Sequence, residues 1–122
     1  MAGTVTVTEQ THTTVKRIYW DWLSTAGGAA DLVTTLPYDG VLERAVFIPD
    51  GGGTQPTDLY DVTITDPDGV DVLAALGANL SNAATVVKKH SDGLTAVAGQ
   101  LLTLNVTNAG NAKGGVVILY LR

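Results

Sequence analysis

The chain has 122 residues, 45% of them apolar, no cysteine, and a formal net charge of -5 from seven Lys and Arg against twelve Asp and Glu. This length fits one domain with its own core, and the missing cysteines exclude disulfide staples, thiolate nucleophiles and sulfur-ligated zinc. The acidic balance repels a phosphate backbone, and only Lys16-Arg17 and Lys88-Lys89 are adjacent cations, so nucleic acid is not an expected partner.

No run reaches the ~18 to 20 uninterrupted apolar residues of a membrane helix. The opening MAGTVTVTEQ lacks the basic and apolar regions of a secretory signal. The expectation is a soluble protein, with no membrane partner, that folds where it is made.

From the N-terminus, TVTVTEQT (4–11) alternates Thr and Val as an extended strand. It is too short and polar to anchor itself, and reads as an arm outside the folded domain. In HTTVKRIYWDWL (12–23), Ile18, Trp20 and Trp22 share one face, and Val15, Arg17, Tyr19 and Asp21 the other. The tryptophans are expected in the core, since alternate placement beside Ile18 is what burial requires; the competing use is an aromatic platform for sugar rings, with Tyr19. AADLVTTL reads as a weaker strand, Pro37-Tyr38-Asp39-Gly40 as a turn, and VLERAVFIP (41–49) as a strong strand with Leu42, Val46 and Ile48 among its apolar positions, stopped by Pro49.

DGGGTQPTD (50–58) reads as a flexible loop; its glycines lack the lysine and following helix of a phosphate-binding loop. In YDVTITDPDGVDVL (60–73), Tyr60, Val62 and Ile64 alternate with polar residues. Asp66-Pro67-Asp68-Gly69 has turn chemistry, and Val70 and Val72 resume the alternation, so the segment predicts a β-hairpin. Asp66, Asp68 and Asp71 do not follow the spacing of a calcium loop, and a turn is expected rather than a metal site.

VLAALGANLSNAAT (72–85) is expected to be a loop with one helical turn, TVVKKH a short strand, and Ser91-Asp92-Gly93 a turn. QLLTLNVTN predicts a strand with Leu102, Leu104 and Val106 facing inward. GVVILYLR (115–122) is apolar on both faces, as in a central strand or one covered by a partner. About eight strands separated by turn signals indicate an all-β fold: a single-domain antiparallel β-sandwich, jelly-roll-like, over 12–122, with an N-terminal arm over 1–11.

Candidate chemistry is sparse. His12 and His90 sit in polar, loop-like settings, Asp92 and Ser91 beside His90 are too close in sequence for a triad, and Glu9 and Glu43 are the only glutamates. The expectation is a protein without catalytic residues, cofactor or metal. An extended Thr/Val segment can instead add to a neighbour's sheet edge.

GTVTVTE, VKRIYWDW, PTDLYDVTITDPDGVDVL and LTLNVTNAGNAKGGVVILYLR together resemble small structural proteins of tailed-bacteriophage virions, especially those with long non-contractile tails. The resemblance runs along nearly the whole chain. It implies a capsid decoration, or cement, protein on the outer capsid surface, made in the host cytoplasm and assembled as a homotrimer, whose arm pairs with the major capsid protein through the candidate partner-binding residues Gly3, Thr4, Val5, Thr6, Val7 and Thr8. Another virion part, such as a head-tail connector or tail component, and a carbohydrate-binding β-sandwich module are the competing readings.

Overall fold

Alternating Thr and Val form the first strand, β1 (Thr4–His12), and the turn at Thr13-Thr14 returns the chain as β2 (Val15–Leu23). The two pair antiparallel along their whole length, from Thr4 opposite Leu23 to His12 opposite Val15. There follow β3 (Ala30–Val33), β4 (Tyr38–Pro49), β5 (Asp61–Thr65), β6 (Val86–Lys89), β7 (Ala96–Gln100), β8 (Thr103–Thr107) and β9 (Gly114–Leu121). The structure, a computed structural model, describes residues 3–122, and none of these is α-helical.

The strands form two antiparallel sheets. The larger runs β1-β2-β9-β4-β6, with β7 also on β4; the smaller is β3-β8-β5. Both turn their apolar faces to one core. Ile18, Trp20, Trp22, Leu42, Phe47, Val117, Leu119 and Leu121 come from the larger sheet, and Val62, Ile64, Leu104 and Val106 from the smaller. The inward positions expected for β2 and β8 are therefore observed. Gly115 lies beneath Trp22, where an added Cβ would stand 2.9 Å from the indole Cζ2, so the glycine makes room for the ring. The indole N–H groups of Trp20 and Trp22 have no acceptor among the described residues.

Several sequence expectations are corrected. Tyr38, Asp39 and Gly40 are not a turn but the start of β4, which pairs there with β7, a strand the sequence pattern did not suggest. A bulge between Leu42 and Arg44 then shifts the alternation of β4. Leu42, Ala45 and Phe47 become fully buried, while Val46 and Ile48 pass to the opposite face. The 60–73 hairpin forms only its first strand and its turn. The return segment makes a single bridge, Thr65 to Asp71, and β5 takes β8 as its partner instead. Residues 72–85 form a loop of successive turns without the helical turn expected there.

The N-terminal segment also differs from its expectation. The described part of the arm is an edge strand of the large sheet rather than a projection from it, and Met1 and Ala2 lie outside the described residues. Two features hold it. Val5 and Val7 pack half-buried against the core, and the Glu9 carboxylate ties the strand to the connection before β4. Glu9 Oε1 accepts from the N–H groups of Thr35 (3.1 Å) and Leu36 (3.2 Å) and from the Tyr38 hydroxyl (3.0 Å), while Oε2 accepts from the Thr35 hydroxyl.

Candidate interaction surfaces

The acidic stretch after β5 uses its carboxylates on backbone N–H groups. Asp66 Oδ1 accepts from the N–H of Asp68 (2.9 Å) and of Val70 (3.0 Å), closing the turn around Pro67. Asp71 Oδ1 accepts from the N–H groups of Ile64 and Leu73, both at 3.1 Å, and Oδ2 from that of Ala75 at 2.9 Å. Asp61 accepts from the Asn79 N–H (2.8 Å) and the Asn108 side-chain amide (2.6 Å). Asp71 thus satisfies backbone donors that the missing return strand leaves free. No group of three or more acids and histidines converges on one point among the described residues.

His12, at the end of β1, and His90, in a 3-10 turn after β6, are both exposed. The loop at 50–54 is held by a local side-chain bond and by one from the distant Lys113. Thr54 Oγ1 bonds Asp50 Oδ2 (3.2 Å), and the Lys113 ammonium donates to the Gly53 carbonyl (3.1 Å). Trp20 and Trp22 are 0% and 1% exposed, so neither offers a face to a sugar ring. Beside Trp22, Tyr60 is desolvated and lies near the charge of Asp50, which pushes its hydroxyl pKa up to about 12.

Two surfaces remain. The first is the edge formed by β1. Gly3 lies against the backbone of Leu23, Thr25 and Ala29. Thr4, Thr6 and Thr8 are exposed, and Val5 and Val7 turn inward. With β2 on one side, the strand leaves its other backbone edge without a strand partner among the described residues. The candidate residues thus form one continuous row, although not a free arm.

The second surface was not singled out from the sequence: the outer face of the large sheet. Pairing registers align Tyr19, Ile118, Val46 and Val87 in one row across β2, β9, β4 and β6. A neighbouring row aligns Arg17, Tyr120, Arg44 and Lys89, and the row on the other side aligns Asp21, Val116 and Ile48. Arg17 lies 5.1 Å from the Tyr19 ring centroid and Arg44 lies 4.3 Å from that of Tyr120. Arg17 Nε also donates to the Tyr120 hydroxyl at 3.3 Å. The hydrogen bond from Arg17 is the main cause that lowers the Tyr120 pKa; burial opposes it, and Arg44 adds a smaller lowering effect. The signal for this face lies in the two-sided hydrophobicity of β9, but the bulge that sends Val46 and Ile48 there is not readable from alternation.

No family model matches the sequence, and neither a curated protein nor a solved structure matches it.

Proposed function

We propose that the chain is a non-enzymatic structural protein of a tailed-phage virion, acting as a decoration protein that bridges and stabilises major capsid protein subunits on the outer shell. The observation that carries this reading is the edge of β1. Its backbone donors and acceptors on the side away from β2 can receive an extended strand of a partner, with exposed Thr4, Thr6 and Thr8 beside the contact. The acidic balance suits a surface outside packaged DNA, and repeated copies on a symmetric shell gain avidity from individually weak contacts.

The proposal extends to the architecture. Two sheets on one core support a β-sandwich, and its jelly-roll-like character rests on neighbours far apart in sequence, with β9 between β2 and β4. Immunogold electron microscopy of virions carrying the chain tests the function. Label over the head exterior is the expected result; label confined to the neck or tail would move the assignment to a connector or tail component. A form lacking residues 1–8 but keeping Glu9 is expected to remain folded and to lose its place on the shell. If it still decorates shells, the β1 edge is not the contact.

A further inference from the structure

An outer sheet face in contact with water ordinarily carries polar side chains; the large sheet keeps them on β1 and in the rows of Arg17 and Asp21, but its middle row, Tyr19, Ile118, Val46 and Val87, is apolar beyond β1. Val46 and Ile118, 9% and 7% exposed, are buried without belonging to the main core. Beside them Ile48 and Val87 are 36% and 44% exposed, and Tyr19 and Val116 are half-buried. An acidic protein also has Arg17, Arg44 and Lys89 aligned in one row of this face.

The order of charges along β2 bears on what covers it. Arg17, Tyr19 and Asp21 alternate outward, a cation and an anion at equal distances on either side of the aromatic ring. A two-fold axis along the strands would lay the Arg17 and Arg44 row on its own copy, setting like charges together. A two-fold axis across the strands, through the row of Tyr19, Ile118 and Val46, instead brings Arg17 of one copy over Asp21 of the other, twice, lays the apolar Tyr19 row on itself, and places Tyr120 and Arg44 over Val116 and Ile48.

We propose that this face is a self-association surface, covered by the same face of a second copy about a two-fold axis through the Tyr19 row. The inference stands apart from the virion reading, because it concerns the free protein and uses the outward face of β1, not its backbone edge. Five strands ~4.8 Å apart, over about seven residues at ~3.4 Å each, give a face of about 500 Å2 per copy. The pair then buries about 1,000 Å2, at the low end for specific interfaces, so the dimer is a weak, concentration-dependent one.

Sedimentation velocity at low salt, from about 1 to 300 μM, reads the association directly. The native chain is expected to shift from monomer to dimer across this range. Arg17→Asp and Asp21→Arg are each expected to weaken dimerisation at least about tenfold. An equimolar mixture of the two is expected to recover it, because each copy then offers the charge that the other needs. Val87→Glu, on an exposed edge position, provides a second disruption if Arg17→Asp fails to fold by circular dichroism. A native chain that stays monomeric at the highest concentration, or forms a trimer, would overturn the proposal. So would single variants that dimerise as the native chain does, or a mixture that fails to recover.

Discussion

The large sheet and the stretch from Asp58 to Asn82 solve the same backbone problem by different means. In the sheet, β2, β9 and β4 satisfy one another through continuous ladders, and side chains are left free to pack. Across 58–82 only short pairings exist, and aspartate carboxylates accept from backbone N–H groups: Asp58 on Asn82, Asp61 on Asn79, and Asp71 on Ile64, Leu73 and Ala75. Both regions bury core residues, but the second also depends on a few charge-assisted bonds at fixed points. Damage should therefore spread across many small contacts in the first and concentrate at single residues in the second.

The sharpest way to break this contrast is Gly77→Ala. The glycine is buried within the irregular region, its carbonyl accepts from the Val62 N–H (2.7 Å), and an added Cβ would collide with the Val62 carbonyl. A loss of about 3 kcal/mol in urea unfolding is expected, comparable with truncating a core side chain. Next is Asp71→Ala, which strands three N–H groups and should cost about 2 to 3 kcal/mol, with Asp71→Asn retaining part of it. Glu9→Ala removes the clamp on the Thr35–Tyr38 connection and should cost about 1 to 2 kcal/mol. Amide exchange should accelerate first at Thr35 and Leu36.

The smallest effect is read by pH. Tyr60 has a folded pKa raised to about 12 from an ordinary value near 10. Between these values the unfolded chain has released the proton that the folded chain keeps. The stabilisation is thus complete below about pH 10 and disappears as pH rises through about 12. Tyr38 is raised in the same sense, by burial and then by Glu9. Tyr60→Phe should flatten, but not abolish, the fall in thermal midpoint over that window.

Legibility from sequence followed the same division. Period-two alternation exposed the inward faces of β2 and β8 and the two-sided character of β9, because ladder-bonded strands repeat their geometry at every residue. It failed where geometry changes locally. The bulge in β4 reverses which residues face inward, and nothing in Leu42-Glu43-Arg44 announces it. The Asp66 turn was readable from Asp-Pro-Asp-Gly, but the departure of the chain after Asp71 was not. There the Asp71 carboxylate satisfies the N–H of Ala75, and Ala74 and Ala75 adopt positive φ of 51° and 66°, which alanine does not signal. The candidate residues Gly3 to Thr8 were legible as a strand. Their attachment was not, since it depends on Glu9 reaching a connection 26 positions away.

The position of β9 has a kinetic side. Trp20 faces Val117, and Phe47 faces Val117 from the other flank, so neither β2 nor β4 completes its ladder until a segment far along the chain slots between them. The β1–β2 hairpin can close early as a local event. The large sheet cannot, because loop-closure entropy must be overcome before these remote pairings return any energy. Folding should accordingly be slow for a domain of this size. During the delay β2 and β4 each expose an unfilled edge that a strand from another chain can enter, so refolding yield should fall as protein concentration rises.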